Sequence, residues 1–356
     1  MIHYSTRKHK VLTYIQLNPA DASTQNILGF LATDGERVSR ITIIRDLNEL
    51  RAKKLIKRSG KGRSAHYEEL LTNPLLRYID PEHYFSIPTD ERPHSFHSHS
   101  SFQASVFRNV TDSLFTKQEK LRLQTLHIKY QTNIAQLSHT IRNKELERLM
   151  IELSWKSSRI EGNTYSLIDT ETLLKTNKLS AGHSDFEAAM IRNHAHAFEY
   201  IVHHKTTFQK LTIRSIETIH DLIAHNLGIH LGLRSKPVGI VGTAYRPIDN
   251  RPQIEDALKM LTHTLNNLEN PFAKAFFALL LVSYIQPFED GNKRTARMLC
   301  NAILVAHDTC PLSYLSIDES LYKKATILFY EQHSARLLKE LFIEQYRSAV
   351  QEYFQA

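Results

Sequence analysis

The sequence predicts a mainly α protein with a small basic domain at its N-terminus and a larger helical body. Apolar residues recur at helical spacing from about residue 114 onward, whereas strand-like alternation is confined to a few short stretches. The formal net charge of +8 lies entirely in residues 1–67, which carry 13 Lys+Arg and 5 Asp+Glu, while the rest of the chain carries 32 of each. At 356 residues, the chain is longer than one domain of average size.

The basic N-terminal stretch contains three helical patterns and two short strands. The helices are predicted over about 8–17, 24–32 and 39–54, and the strands around 55–58 and 65–67, joined by a basic turn that contains glycine. Residues 1–68 thus resemble a winged helix-turn-helix. The resemblance implies DNA binding, with outward polar side chains of the third helix at base edges and cations of the hairpin at phosphates. A protein-interaction module is the alternative.

Residues 69–112 are predicted to be a linker, because four prolines interrupt them and a stretch of alternating histidine and serine follows. His94, His97 and His99 are potential metal ligands, but their alternation with serine on a loop favours a linker over a metal site.

The body, residues 113–356, is predicted to be helical, with the best strand signal around 237–245. Its predicted helices are 121–137, 144–157, 185–203, 213–227, 254–267, 273–285, 294–307 and 319–329. No apolar run is long enough to span a membrane, and the N-terminus lacks the apolar core of a secretory signal. Cys300 and Cys310 are too few for a disulfide framework, so we expect a reducing cytoplasm.

The most informative segment is Gln-Pro-Phe-Glu-Asp-Gly-Asn-Lys-Arg-Thr-Ala-Arg, residues 286–297. A buried helix precedes it, and Pro287 and Gly291 predict a turn before the next helix. The backbone amides of Gly291, Asn292 and Lys293 would then point outward at a helix N-terminus, where free N–H groups and the helix dipole favour an anion.

Charged side chains surround this predicted anion site. Lys293, Arg294 and Arg297 are cations suited to phosphate oxygens. Asp290 provides a carboxylate, which is enough for a Mg²⁺ ion that keeps waters and phosphate oxygens as its other ligands.

The segment resembles the signature of the Fic (Fido) family, His-Pro-Phe-x-Asp/Glu-Gly-Asn-Gly/Lys-Arg-x-x-Arg, and the resemblance extends over about residues 110–345. It implies an all-helical Fic core, ATP and Mg²⁺ as ligands, and transfer of AMP to a serine, threonine or tyrosine hydroxyl of a protein. The implied catalytic residues are the general-base position Gln286 with Asp290, Asn292 and Arg294, and the implied nucleotide-binding residues are Gly291, Asn292, Lys293, Arg294 and Arg297.

Two positions depart from the most familiar form of this signature. Gln286 replaces the histidine that acts as general base, and a glutamine amide has no useful basicity near neutral pH. Lys293 stands where many adenylyltransferases have glycine, and the lysine form also occurs in Doc-type relatives, which phosphorylate their target. Transfer of AMP, transfer of phosphate and binding without transfer therefore all remain open. Nearby histidines, His220, His225 and His307, are more simply interpreted as packed or surface residues than as substitute bases.

Ser157, Glu161 and Gly162 match the Ser/Thr-x-x-x-Glu-Gly/Asn motif by which many Fic proteins inhibit themselves. The resemblance implies that Glu161 pairs with Arg297 and blocks the position of the ATP γ-phosphate. Physically, a carboxylate and a phosphate oxygen would compete for one guanidinium group.

Residues 232–247 resemble the β-hairpin flap with which Fic proteins bind a target peptide by main-chain pairing. The resemblance assigns target binding to Val238, Ile240, Gly242 and Tyr245.

Two hypotheses follow from the sequence. The first is an adenylyltransferase that is inhibited through Glu161 and weakened by Gln286. The second is a catalytically inactive ATP-binding protein that acts as a transcriptional regulator and binds DNA through residues 1–68. Expected partners are ATP and a protein target, which includes the protein itself, together with DNA; no membrane is expected, and a homodimer is left open.

Overall fold

Residues 6–71, 73–92 and 99–355 are described by a computed structural model, in which the chain divides into two units. The smaller unit is Met1–Asp80 and the larger is Pro81–Ala356. Helices dominate both, and the two paired strands found among the described residues belong to the smaller unit. The mainly α fold class is therefore confirmed.

The smaller unit has three helices followed by an antiparallel strand pair. Its elements are α1 (Thr6–Leu17), α2 (Thr24–Thr33), α3 (Arg40–Ala52), β1 (Ile56–Ser59) and β2 (His66–Glu69). The predicted helices and strands are thus confirmed to within two residues at each end. Ser23 and Ser39 determine where α2 and α3 begin, because each hydroxyl accepts a hydrogen bond from the backbone N–H three residues later.

A single apolar core holds these five elements together. Its members are Val11, Leu12, Ile15, Ala22, Ile27, Leu31, Ile43, Leu47, Leu50, Leu55, Ile56 and Tyr67. The turn after β1 requires glycine at Gly60, where φ is +76° and a Cβ would lie 2.3 Å from the carbonyl oxygen of Ser64.

The larger unit is a helical assembly. Its helices are α4 (Pro81–Ser86), α5 (Lys117–Gln136), α6 (His139–Ile160), α7 (Leu167–Thr176), α8 (Asp185–His203), α9 (Ile213–Ala224), α10 (Arg251–Asn266), α11 (Pro271–Ile285), α12 (Asn292–Ala306), α13 (Glu319–Gln332) and α14 (Arg336–Glu352). The eight predicted segments are confirmed, whereas the short α4 and α7 and the C-terminal α14 lie outside them. None of the helices in the described ranges has both the length and the apolar character needed to cross a bilayer.

Helices α11 and α12 form the centre of the larger unit. Every residue from Phe272 to Ile285 is buried, so α11 has no polar face. Helix α12 packs along α11 and also contacts α6, α8 and α9. The loop between α11 and α12 is therefore carried by two buried helices.

Residues 81–92 and 99–112, which the sequence analysis expects to be linker, pack within the larger unit instead. Tyr84, Val106 and Phe107 are buried there. The composition misleads because a few apolar side chains among many polar residues suffice to anchor an irregular segment.

The histidine-rich stretch is described only in part. His94 and His97 lie outside the described residues. The ring of His99 stacks on that of His333, with centroids 4.0 Å apart. Within the described ranges, no group of three or more His, Cys, Asp or Glu side chains could hold a metal ion.

Candidate functional site

Gln286 ends helix α11 in a left-handed conformation. Its φ and ψ are 51° and 59°, and its N–H still donates to the carbonyl oxygen of Val282. The helix cannot continue, because Pro287 lacks an N–H and disfavours a helical conformation in the residue before it. The buried Gln286 side chain turns back, and its Nε2 donates to the Ser283 carbonyl oxygen at 2.6 Å.

The loop after Gln286 is closed by Asn292, the first residue of α12. Its Oδ1 accepts from the Phe288 N–H at 2.9 Å, and its Nδ2 donates to the Phe288 carbonyl oxygen at 2.8 Å. Gly291 precedes the helix with φ +78°. These bonds fix the direction in which α12 begins.

His220 on α9 supports the same loop. Its ring stacks on Phe288, with centroids 3.7 Å apart, and its Nε2 donates to the Asp290 carbonyl oxygen at 3.1 Å. Burial lowers the pKa of His220 to about 4, so the ring is neutral at pH 7. His220 therefore holds the loop, and its ring does not line the cleft around Gln286.

The other two candidate bases are also displaced from the loop. His225 follows the end of α9 and does not line the cleft around Gln286. His307 caps the C-terminus of α12, a helix whose 15 residues span about 22 Å at a rise of about 1.5 Å per residue.

Arg294 lies under the loop and is almost completely buried. Its Nη2 donates to Asp290 Oδ2 at 3.0 Å. Burial lowers the pKa of Arg294, and the nearby Asp290 opposes this effect. Arg294 Nη1 is buried and has no acceptor among the described residues. The Asp290 carboxylate itself is 66% exposed.

Arg297 lies one turn further along α12 and is fully buried. Its Nη2 lies 2.8 Å from Glu161 Oε1, so the two side chains that the sequence pairs are in contact. Burial raises the pKa of Glu161, but the charges of Arg297 and Lys293 outweigh burial and hold the pKa below its usual value. The carboxylate therefore stays ionised against the guanidinium.

A chain of hydrogen bonds continues behind this ion pair. Arg297 Nε donates to Ser157 Oγ at 2.9 Å, and Ser157 Oγ lies 2.8 Å from His194 Nε2. His194 Nδ1 lies 2.8 Å from the Met190 carbonyl oxygen and donates to it, so Nε2 is the acceptor for the serine hydroxyl. Burial lowers the pKa of His194 to about 3, which keeps the ring neutral.

Sequence reasoning missed His194. The signal was its spacing: it follows Ile191 by three residues and precedes Phe198 by four, which places it on the buried face of α8.

Trp155 lies on the same helix as Ser157, six residues before Glu161, and it is the one tryptophan of the sequence. Its Nε1 donates to the Tyr165 carbonyl oxygen at 2.9 Å, and Arg159 Cζ lies 5.4 Å from its ring centroid. The indole thus bridges the end of α6 and the chain that follows Glu161.

Most of the predicted site residues line one open cleft at the N-terminus of α12. The structure brings together there Glu161, Gly162, Val238, Ile240, Gln286, Asp290, Gly291, Asn292, Lys293 and Arg294. Ser157 and Arg297 lie buried behind Glu161. A smaller pocket adjoins the cleft and is lined by Ile240, Tyr322, Lys323, Ile327 and Tyr330, among others.

The predicted flap differs from a β-hairpin. Between residues 232 and 247, all of which the structure describes, the one bridge is formed by Arg246 with Ser101. Buried Arg234 donates to the carbonyl oxygens of Gln286, Lys236 and Ile248, and these bonds replace a strand ladder.

Gly242 and Tyr245 were also expected to bind the target, but the structure gives them other roles. Gly242 forms a turn with φ +81°. Tyr245 is buried, and its hydroxyl donates to the Tyr284 carbonyl oxygen at 2.7 Å. Val238 and Ile240 remain as the predicted flap residues that face the cleft.

Comparison with known sequences identifies the domain that carries this cleft. Residues 210–304 match the family model described as the Fic/DOC family. A protein adenylyltransferase Fic from Nematostella vectensis is 30% identical over 164 residues, which are 42% of this chain and 36% of the relative. One from Aedes aegypti is 26% identical over 249 residues, 67% of this chain and 48% of the relative. The chain thus spans less than half the length of these relatives.

Solved structures show the same fold. Fic-1 from C. elegans superposes with a TM-score of 0.57 at 19% identity, covering 70% of this chain and 75% of that one. A Fic domain containing signaling protein from Bacteroides thetaiotaomicron superposes with a TM-score of 0.53 at 21% identity, covering 64% and 92%. Identities this low establish the fold alone. Residues 210–304 are therefore similar in sequence to the Fic/DOC family, and the helical unit has the fold of these solved structures.

Proposed function

We propose that this protein is a Fic-type adenylyltransferase, which transfers AMP from ATP to a serine, threonine or tyrosine hydroxyl of a protein. The observation that carries the proposal is a pair of buried guanidinium nitrogens, Arg294 Nη1 and Arg297 Nη1, that have no acceptor among the described residues. Buried donors cost free energy unless something accepts from them. Phosphate oxygens at the N-terminus of α12 would be suitable acceptors. The adenylyltransferase names of the sequence relatives support the same activity.

The rest of a nucleotide also has a suitable place. The pocket beside the cleft is lined by Ile240, Tyr322, Ile327 and Tyr330, which offer apolar and aromatic contacts to a purine ring. A base in this pocket would direct its phosphates toward the start of α12.

Mg²⁺ fits the exposed carboxylate of Asp290, because this ion usually takes one or two carboxylates and completes its shell with waters and phosphate oxygens. When bound, the ion would neutralise phosphate charge. Asp290 would hold it, and the present partner of Asp290, Arg294, would then be available to the phosphates.

In the proposed reaction, the target hydroxyl oxygen forms a bond to the α-phosphorus of ATP. The bond from that phosphorus to the oxygen bridging the α- and β-phosphates breaks, pyrophosphate leaves, and the hydroxyl proton passes to solvent water. Gln286 cannot accept that proton, and a general base is typically worth about 10²–10⁴ in rate. The amide oxygen of Gln286 can still accept a hydrogen bond and orient the hydroxyl. We therefore expect slow transfer driven by positioning and charge.

Glu161 restrains the site in this proposal. Its carboxylate lies against Arg297 Nη2, and a phosphate oxygen that approached the same nitrogen would meet a negative charge. ATP would bind productively only after Glu161 moves away, which makes the ion pair an inhibitory contact.

The flap would present the target. Residues 238–241 make no backbone hydrogen bond to other described residues, so their N–H and C=O groups are open to an extended peptide. Val241 is 97% exposed, so its side chain is accessible to a bound peptide.

The test is to incubate the full-length protein with ATP labelled at the α- or the γ-phosphate, with Mg²⁺, and to follow label on protein. The rate of α-label transfer should increase from wild type to Glu161→Gly and again to Glu161→Gly with Gln286→His. The histidine should raise the rate about 10²–10⁴-fold. Gln286→Ala in the Glu161→Gly background is the matched control.

If label is transferred from the γ-phosphate alone, the reaction is phosphorylation and not adenylylation. Absence of both labels from the doubly substituted protein, with ATP binding intact in calorimetry, would reject transfer and favour a sensor.

A second candidate function, DNA binding by the smaller unit as a winged helix, is favoured by one observation. Arg40, Arg45 and Arg51 are exposed on α3, and none forms an ion pair with any described carboxylate. The acidic residues of this unit instead pair with other cations, as Asp46 does with Arg7 and Glu36 with Lys10. Exposed arginines without a carboxylate partner suit a phosphate backbone or base edges, and titration with duplex DNA at rising salt tests this candidate.

A further inference from the structure

Glu331, near the end of α13, is a fully buried carboxylate outside the cleft. Both of its oxygens are occupied. Oε1 accepts from Thr243 Oγ1 at 2.6 Å and from the Ala244 N–H at 2.9 Å. Oε2 accepts from the Tyr84 hydroxyl at 2.6 Å, and Arg92 Nη1 lies 3.6 Å away.

These partners come from two different parts of the chain. Thr243 and Ala244 follow directly on residues 238–241, the part of the flap that is open to a peptide. Tyr84 and Arg92 belong to the segment that precedes the Fic helices. Arg92 also donates through Nη1 to the Gly242 carbonyl oxygen at 3.1 Å. One carboxylate and one guanidinium thus join the preceding segment to the turn of the flap.

The adjoining residues strengthen this connection. The Arg246 N–H donates to the Ser100 carbonyl oxygen at 2.9 Å, and the His99 N–H donates to the Glu331 carbonyl oxygen at 2.7 Å. At the other end of the flap, Arg234 donates to the Gln286 carbonyl oxygen at 2.6 Å. Both ends are therefore fixed, while the residues between them are open.

A buried carboxylate is costly unless its oxygens are satisfied by hydrogen bonds or opposite charge. The hydrogen bonds and the nearby Arg92 charge that stabilise the Glu331 carboxylate therefore also hold the flap turn against the preceding segment. The bonds made by Thr243 and Ala244 further fix the chain direction immediately after Val241, and so determine where an added strand would lie.

We propose that Glu331, with Tyr84 and Arg92, positions the flap for its target, so that the segment before the Fic helices is part of the target-binding apparatus. This proposal rests on the proposed target-binding role of residues 238–241. It assigns positioning roles to three residues that touch neither nucleotide nor acceptor.

Hydrogen–deuterium exchange of the full-length protein tests the positioning role directly. Tyr84→Phe removes one hydroxyl, and Glu331→Gln removes the charge while it keeps the shape of the side chain. Either change should speed exchange of the hydrogen-bonded amides of Ala244, Tyr245 and Arg246, followed in peptides covering 238–246, by about tenfold, roughly the effect of losing one buried hydrogen bond. Peptides from α11 and α12 should exchange as in wild type. Glu340→Gln, at an exposed glutamate on α14, is the matched control and should change neither region.

A second measurement separates positioning from general loss of structure. In the Glu161→Gly, Gln286→His protein, Tyr84→Phe should lower the initial rate of α-label transfer at least severalfold and leave the dissociation constant of Mg²⁺-ATP unchanged.

Unchanged exchange at 238–246 in both variants, or an equal rise in α11 and α12, would overturn the positioning role. Absence of transfer in the Glu161→Gly, Gln286→His protein would instead reject the proposed function, and the exchange data would still decide the role of Glu331.

Discussion

At the residue scale, the site depends on a line of buried polar groups running from Glu161 through Arg297 and Ser157 to His194. In this line, the carboxylate forms an ion pair with the guanidinium, and the serine hydroxyl accepts from the guanidinium and donates to the neutral imidazole. The position of Arg297 is therefore determined from two sides. One of them, Glu161, is the side that a phosphate would replace in the proposed mechanism.

Ser157→Ala tests the contact that would still hold Arg297 after a phosphate had replaced Glu161. The change leaves Arg297 Nε and His194 Nε2 without their buried partner, so we expect a loss of about 1–3 kcal/mol in the free energy of unfolding. Urea denaturation followed by far-ultraviolet circular dichroism measures it. Ser154→Ala is the matched control, because that hydroxyl is equally buried but only donates to a carbonyl oxygen of its own helix, that of Met150. Equal losses in the two variants would contradict a special role for Ser157.

Residue by residue, the signature and the inhibitory motif located most of the cleft in advance. Glu161 and Arg297 are 136 positions apart in sequence, and their contact was expected from family resemblance and not from spacing. His194 was missed because a histidine on an apolar helix face does not by itself indicate a polar partner. Tyr245 was placed wrongly because aromatic residues suit both a peptide-binding strand and a core.

At the element scale, the flap shows where local patterns stop being informative. Residues 237–245 have apolar residues and turn signals that suit a hairpin, yet no strand ladder forms among them. At one end, the Ala244 N–H bonds instead to Glu331, 87 residues later. At the other end, Arg234 donates to the carbonyl oxygens of Lys236 and Gln286, contacts that a local pattern does not indicate. By contrast, helices such as α11 and α12 were predictable, because α11 is an almost continuous apolar stretch and α12 has apolar residues at helical spacing.

Helix α3 carries the element-scale prediction. Arg40→Ala with Arg45→Ala should weaken binding to duplex DNA and lower the slope of log affinity against log salt, by about 0.9 for each phosphate that the protein no longer neutralises. Fluorescence anisotropy with labelled duplex, repeated at several salt concentrations, measures both quantities. Lys10→Ala is the control, since that lysine already pairs with Asp34 and Glu36 and should contribute little. Affinity that is equal in wild type and the double variant would show that α3 does not contact DNA.

At the scale of the whole molecule, charge is divided between the two units. The positive excess of the sequence lies in residues 1–67, whereas the body is balanced overall, with Lys293, Arg294 and Lys323 at the cleft. The boundary at Asp80 could not be predicted. Proline content suggested a linker up to residue 112, but the packing of Tyr84 and Phe107 depends on distant residues.

Buried histidines give the molecule a predictable response to pH. Burial lowers the pKa of His194 and His333 to about 3 and that of His220 to about 4. Near an ordinary pKa of about 6.5, the unfolded chain takes up these protons and the folded one does not. The contribution of these neutral histidines to the free energy of unfolding is therefore complete above about pH 6.5 and is lost progressively as the pH falls toward 4.

Urea denaturation at pH 7, 6 and 5 should accordingly show stability falling with pH, with a slope of up to about 1.4 kcal/mol per pH unit for each histidine. Some carboxylates, such as Glu49 and Glu187, have a pKa lowered to about 2. They lower the free energy of unfolding further only below about pH 4.5. His194→Gln should reduce the slope, whereas His196→Gln, at an exposed position on the same helix, should not. Identical slopes in wild type and His194→Gln would refute the assignment.

The position of Trp155 has a practical consequence. Since no other indole exists in the sequence, tryptophan emission from the unlabelled chain originates at one place, within two helical turns of the acidic side chain that faces Arg297. The indole donates to the carbonyl oxygen of Tyr165, which lies beyond that side chain, so we expect a movement of this part of the chain to change the surroundings of the fluorophore. We expect tryptophan emission to report whether the contact between Glu161 and Arg297 is made or broken.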